Sequence, residues 1–352
     1  MASQALLYFD LCKISCITAL HSNYRMNRYG LFFVAIEYNF IDVVKYLIEK
    51  NTDVNLLNTI IFRGREYHYT PLMIASKFNR YKIIEILLDN GALINYQMPH
   101  WLYTALHIAV KNNNVYSVIV LLSRGADVNL KNLDGYTALH KAIIYRRCKK
   151  IIKLLLQYNA DIGIRDNTYY RIPQKGYTPF DIVNQYYDYN TLELLTSHII
   201  RIDRSNSKSK LTDGFKHNKE LIKKSKTLSD IEKKCISDME KMKNIIINKQ
   251  FTLFDGFVNN DIDSVANYGK RYDLKILIND LTIYKELYSD YIDSCISRTN
   301  LLKESMHFID SIHTGKGTSW NDLPYEIRFN ILKYLTNDEL RRATGNSLLT
   351  VN

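Results

Sequence analysis

The chain has 352 residues, a formal net charge of +11 and an ordinary hydrophobic fraction of 46%. Its low counts of 13 Gly and 5 Pro favour a mostly helical protein of about two domains. The 5 Cys are an odd number without a Cys-x-x-Cys pair, which argues against a disulfide scaffold and a zinc site. The apolar N-terminal stretch lacks a basic signal-peptide segment, and no run has the length of a membrane span.

A repeated pattern organises the first half of the chain. The sequence TPLM begins at Thr70, and TALH begins at Thr104 and again at Thr137. The intervals are 34 residues (104 − 70) and 33 residues (137 − 104). A fixed period of this size indicates a repeat architecture.

Each copy of the pattern predicts a pair of helices followed by a turn. The Thr hydroxyl can cap a helix start, and Pro71 suits the first helical position. Gly91 and Gly125 suit the positive φ that often follows a helix end. Two short helices cannot bury their own apolar face, so neighbouring copies must stack. The pattern resembles the ankyrin repeat, and this resemblance implies an all-α ankyrin-repeat solenoid of helix pairs with β-turn fingers.

The terminal copies are weaker. Residues 1–28 are predicted to form a degenerate capping pair, and residues 27–55 match the unit only partly. A last copy begins at Thr178, so we expect about five to six repeats in residues 1–200, with the first and last degenerate.

Insertions between repeats are the predicted target-binding surface. The longest run from Asn55 to Thr70 and from Gly163 to Thr178, and insertions in solenoids map to loops on one face. Their aromatic and Arg residues are of types common at interface hot spots. The alternative is that some of the 27 Tyr pack on their own loops. The predicted target-binding residues are Phe62, Arg63, Arg65, Tyr67, His68, Met98, His100, Trp101, Tyr169, Tyr170 and Arg171.

A strongly basic segment follows the repeats. Residues 201–250 hold 14 Lys or Arg against 7 Asp or Glu. We expect a basic linker at 201–217 and a helical middle region at 218–312. Lys and Glu alternate and stacking aromatics are few, so a solvated helix face is favoured over a nucleic-acid site.

The tail, residues 318–352, predicts an intermolecular surface. Asp322 can cap a helix, and the apolar side chains after it recur at helical spacing with too little chain after them to cover them. The stretch resembles a truncated F-box (PRANC) motif, whose signature begins Leu-Pro-x-Glu. That resemblance implies binding to the Skp subunit of a ubiquitin ligase. The predicted ligase-adaptor contacts are Leu323, Pro324, Ile327, Ile331, Leu335 and Leu340.

The order of these parts resembles the poxvirus ankyrin proteins with a PRANC C-terminus. The resemblance implies a non-enzymatic adaptor in the host cytoplasm or nucleus that links a host target to a Skp–cullin–RING (SCF) ligase. A module that only sequesters a host signalling protein is the alternative, and a nucleic-acid-associated protein is the less favoured third. We expect no cofactor, no metal site, no membrane partner and no catalytic residue. His107 and His140 are expected to bond the neighbouring turn instead.

Overall fold

The computed structural model describes residues 28–62, 65–167, 176–186, 188–205, 211–248, 251–259, 261, 265, 281–312, 332, 335 and 339–340. The chain divides into two compact units. The first consists of residues 1–192 with 211–218, and the second of 193–210 with 219–352. The predicted capping pair at 1–28 lies outside the described residues, apart from Arg28.

Helix pairs recur through the first unit at the predicted positions, so the predicted ankyrin solenoid is confirmed. The second helix of the last pair belongs to the first unit only up to Leu192. Each pair places a short inner helix before an outer one. The pairs are α1 (Arg28–Glu37) and α2 (Ile41–Glu49), α3 (Pro71–Lys77) and α4 (Tyr81–Asp89), α5 (Ala105–Lys111) and α6 (Val115–Ser123), α7 (Ala138–Ile144) and α8 (Lys149–Gln157), and α9 (Pro179–Tyr186) and α10 (Tyr189–Arg204).

The capping threonines start the inner helices. The Thr70 hydroxyl accepts the backbone N–H of Met73 at 3.2 Å. Thr104 and Thr137 do the same for the third residue of α5 and α7, at 3.3 Å and 3.5 Å. These bonds satisfy N–H groups that have no partner inside the helix.

The turns after the outer helices adopt the conformation that their residues predict. Gly91 and Gly125 have φ of +85° and +87°, and Asn51 and Asn159 have φ of +60° and +62°. Gly and Asn tolerate this left-handed region better than other residues.

Asparagine side chains connect successive turns. The Asn55 side chain accepts the backbone N–H of Leu93 at 2.9 Å. Asn95 and Asn129 accept the N–H of Asp127 and Asp161, both at 2.8 Å. We call these bonds the turn ladder.

The first long insertion folds into a hairpin that the sequence analysis did not predict. Strand β1 (Asn58–Phe62) pairs antiparallel with β2 (Arg65–Tyr69). The register runs from Asn58 opposite Tyr69 to Phe62 opposite Arg65. β-branched and aromatic residues, which favour strands, fill this stretch.

The second unit is mainly helical. It contains parts of α10 and α11 (Asp213–Lys224), followed by α12 (Lys226–Lys243), the strands β3 (Ile246–Asn248) and β4 (Phe251–Thr252), α13 (Leu253–Asn259) and α14 (Tyr284–Ile312). α10 continues to Arg204, and α11 begins at Asp213 inside the predicted 201–217 linker. Ser225 separates α11 from α12 because its hydroxyl caps α12 by accepting the N–H of Leu228 at 3.4 Å.

A buried carboxylate anchors the start of α14. Asp238 of α12 is 0% exposed and accepts the backbone N–H groups of Thr282, Ile283 and Tyr284 at 2.9, 2.8 and 3.1 Å. The Tyr284 hydroxyl donates to the carbonyl of Ser197 at 2.9 Å. These bonds tie α14 to the rest of the second unit.

Candidate protein-interaction surfaces

Two of the predicted target-binding residues stack on each other across neighbouring repeats. The ring of Tyr67, on the hairpin, lies 5.9 Å from that of Trp101, on the next finger, with an angle of 3° between their planes. Tyr69 lies against Tyr67 at 6.2 Å and 17°. We call Tyr69, Tyr67 and Trp101 the aromatic row.

The other predicted target-binding residues divide into several groups. Met98 is 2% exposed and belongs to the core. The His68 ring bonds the Thr59 hydroxyl at 2.9 Å within the hairpin. His100 is exposed on its finger. Phe62 and Arg65 belong to the strands of the hairpin. The remaining four, Arg63, Tyr169, Tyr170 and Arg171, lie outside the described residues.

Basic side chains lie beside the rings. The Lys77 Nζ atom is 5.6 Å from the ring centre of Tyr69 and 5.1 Å from that of Phe78. One step further along the solenoid, Lys111 ends α5, and Arg147 donates a hydrogen bond to the Lys111 carbonyl.

Lys141 is held between three tyrosines. Its Nζ atom lies 4.5 Å from the ring centre of Tyr136, 5.4 Å from Tyr103 and 5.8 Å from Tyr145. Asp134 is the nearest acid recorded for it, at 3.9 Å. Lys141 is 5% exposed, so its charge affects the electrostatic potential at neighbouring groups and is not itself available to solvent. We call Lys77, Lys111, Lys141 and Arg147 the inner cations.

The inner cations act on one another electrostatically. The pKa of Lys111 is lowered by burial and then by the charges of Lys141, Lys77 and Arg147. Burial also lowers the pKa of Lys141. The three like charges acting on Lys111 mark a surface where positive potential accumulates.

The sequence analysis missed the inner cations and most of the tyrosines around them. One signal was available: a Tyr directly precedes each capping Thr, at Tyr69, Tyr103, Tyr136 and Tyr177. A residue conserved in repeat register lies at the same place in every unit of a solenoid. Lys77 and Lys111 also recur in register, 34 residues apart (111 − 77), whereas Lys141 and Arg147 do not, and their approach to the other two depends on the stacking of the repeats.

The two expected structural histidines have the predicted role. His107 Nε2 lies 3.1 Å from the Tyr136 carbonyl, and His140 Nε2 lies 3.2 Å from the Tyr177 carbonyl. Each ring thus bonds the finger of the following repeat. Burial lowers the pKa of both to about 4, so the neutral form is present at physiological pH.

The described part of the tail packs on α14. Leu332 and Leu340 are buried with Leu301, Leu302 and Met306, and Leu335 is half-buried against them. Arg298 of α14 donates a hydrogen bond to the Leu335 carbonyl at 2.6 Å. Leu340, expected to lack cover, is 0% exposed. The reason is that α14, which precedes the motif in sequence, covers it. Leu323, Pro324, Ile327 and Ile331 lie outside the described residues.

The described ranges contain neither a metal-binding cluster nor a membrane-spanning helix. Within them, no cluster of three His, Cys, Asp or Glu side chains could hold a metal ion. No helix in the same ranges is long and apolar enough to cross a membrane.

Family models match both parts of the chain. Ankyrin repeats match residues 8–98 and 97–166, and the PRANC domain matches residues 248–344. Both are protein-interaction modules.

Curated relatives are poxvirus proteins. Putative ankyrin repeat protein FPV031 of Fowlpox virus is 43% identical over 96% of this chain and 98% of its own length. Putative ankyrin repeat protein FPV024 of the same virus is 25% identical over 82% of this chain, and ankyrin repeat domain-containing protein OPG023 of Cowpox virus is 25% identical over 59%. The chain spans only 42% and 32% of those two proteins.

Proposed function

The chain belongs to the poxvirus family of ankyrin-repeat proteins with a PRANC domain, and from this membership we propose that it is a substrate adaptor of a ubiquitin ligase. The ankyrin solenoid would hold a host protein, and the tail would bind the Skp subunit of an SCF complex. The setting would be the host cytoplasm or nucleus.

The observation that carries this proposal is the presence of two interaction modules on one chain. The repeats match up to residue 166 and the PRANC domain from residue 248. An adaptor with two binding sites needs no chemistry of its own, because joining two partners raises the effective concentration of one near the other. Ubiquitin transfer would be carried out by the recruited enzymes.

The tail residues would have two roles, contact with the Skp subunit and internal packing. Leu323, Pro324, Ile327 and Ile331 would contact the Skp subunit, with Leu335 at the edge of that contact because it is only partly buried. Leu340 would support the motif from within, since it is 0% exposed.

Affinity purification of the full chain from host cells tests the proposal. We expect the wild type to recover Skp and cullin subunits and a Leu323→Ala/Pro324→Ala variant to lose them by roughly tenfold or more, the loss expected when a contact is worth about 1.4 kcal/mol. A Leu93→Ala/Leu211→Ala variant is the matched control, because both side chains are exposed, at 57% and 72%. Recovery of no ligase subunit by the wild type would contradict the proposal.

A sequestering module is the second candidate function. The packing of the described tail on α14 favours it, because a tail that closes its own unit needs no partner. In that case the purification would recover the host target without Skp, and the Leu323→Ala/Pro324→Ala variant would recover the same amount of target.

A further inference from the structure

The inner cations carry more positive charge than the acidic side chains among the described residues neutralise. Among the described residues, the ion pair between Lys141 and Asp134, at 3.9 Å, is the one recorded for this group. Within the same ranges, no carboxylate lies within ion-pair distance of Lys77, Lys111 or Arg147. Burial and then the charges of the other cations lower the pKa of Lys111, and an arriving carboxylate would relieve the repulsion among them.

Three of the inner cations lie on inner helices, and Arg147 lies in the connection between α7 and α8. Lys77 and Lys111 are the last residues of α3 and α5. Lys111 is exposed, and Lys77 and Arg147 are half-buried. Lys141 is covered by its tyrosines, so it contributes to the positive potential of the surface but cannot contact a ligand directly.

The rings favour a protein segment over a nucleic acid. Bases bind to aromatic side chains by stacking on open ring faces. Tyr67 already lies between Tyr69 and Trp101, and Lys141 occupies positions over Tyr103, Tyr136 and Tyr145. Rings that are already stacked or covered by a cation can still pack against the backbone and side chains of a bound protein segment.

Helix spacing predicts the spacing of charges in the partner. Packed helices lie about 8–10 Å apart, so Lys77 and Lys111, on adjacent inner helices, are one such step apart. An extended chain rises about 3.3 Å per residue. A carboxylate at roughly every third residue of the partner therefore matches the spacing of Lys77 and Lys111.

We propose that the inner face of the solenoid binds an extended, acidic segment of the partner protein, with carboxylates contacting Lys77, Lys111 and Arg147 and the backbone lying along the aromatic row. A second copy of this chain does not fit, because its net charge is +11. The inference rests on the proposed function, since it names the chemistry of the protein that the adaptor would hold.

The test measures binding of a fluorescent peptide of about 15 residues, with Glu at every third position and Gly or Ser between, to the full chain by anisotropy. We expect a Lys77→Ala/Lys111→Ala variant to bind roughly tenfold more weakly and the wild-type affinity to fall with salt. A peptide with Gln in place of Glu should not bind.

A charge-matched control separates a specific site from general attraction. Lys82→Ala/Lys150→Ala removes two exposed lysines of the outer helices α4 and α8, and it should change the affinity by less than about twofold. Equal weakening by both double variants would overturn the proposal. So would a single-stranded RNA of equal charge that binds more tightly than the peptide and depends on the same lysines.

The two proposals fail separately. Leu323→Ala/Pro324→Ala should keep wild-type peptide affinity, and Lys77→Ala/Lys111→Ala should keep recovery of Skp and cullin. Failure of the wild type to recover ligase subunits contradicts the adaptor function alone, whereas failure of the wild type to bind the peptide contradicts the acidic partner alone.

Discussion

The stability of the ankyrin repeats depends on pH through two buried histidines. His107 and His140 have their pKa lowered to about 4 by burial, against about 6.5 in an unfolded chain. Protonation therefore favours the unfolded state, and the stabilisation is complete above about pH 6.5 and is lost as the pH falls towards 4.

We expect this loss to reach about 2 to 3 kcal/mol per histidine near pH 4.5. Urea unfolding followed by Trp101 fluorescence, in a Trp320→Phe background, would measure it. His107→Gln and His140→Gln should each have a shallower pH dependence than the wild type. His100→Gln, which changes an exposed histidine of a finger, should have the wild-type slope, and equal slopes for all four proteins would contradict the prediction.

Two glycines with similar backbone angles differ in their surroundings. Gly125 has φ of +87° with nothing within 4 Å of an added Cβ atom, whereas at Gly135, with φ of +77°, that atom would lie 2.5 Å from the backbone nitrogen of Asn167. Gly125→Ala should cost about 1–2 kcal/mol from backbone strain alone. Gly135→Ala should cost at least about 1 kcal/mol more because the clash adds to the strain. The comparison uses the same urea unfolding, and equal costs would mean that the finger moves freely away from Asn167.

At the scale of elements, the junction between α12 and α14 depends on Asp238. Its buried carboxylate accepts three N–H groups at the start of α14. Asp238→Ala would leave them without a partner, and we expect a loss of about 3 kcal/mol or more. Hydrogen exchange in peptides from α14 should accelerate accordingly. Asp230→Ala removes an exposed ion pair with Lys233 at 3.1 Å. It should change the opening free energy measured by hydrogen exchange by a few tenths of a kcal/mol at most.

Local chemistry made many of the elements predictable. The capping threonines, Gly91 and Gly125 have the roles that the sequence predicts, because caps and turns depend on a few adjacent residues. The hairpin at Asn58–Tyr69 was missed because a repeat pattern leaves insertions undefined. The division of the predicted helical middle region at Ser225 was not predicted, because the apolar spacing continues across it.

At the scale of the whole molecule, the candidate surfaces depend on residues that are distant in sequence. Tyr67 and Trp101 were predicted individually, but their stacking requires that successive fingers align. The inner cations come from three different repeats, and only Lys77 and Lys111 among them recur at the repeat period. Leu340 was expected to lack cover because only the chain after it was considered, whereas α14 lies before it. Sequence reasoning therefore identified the modules and left their surface chemistry incomplete.

The turn ladder has a consequence for how such genes change. Asn55, Asn95 and Asn129 each bond the turn that follows. Duplication or loss of one whole period would recreate the same bonds at the new junction. Asn55 and Leu93 are 38 residues apart, whereas Asn95 and Asp127 are 32 apart, so a longer finger leaves the bond between its turns intact. Gain or loss of whole units would therefore preserve the turn ladder. This chain spans 98% of one relative but only 42% and 32% of two others.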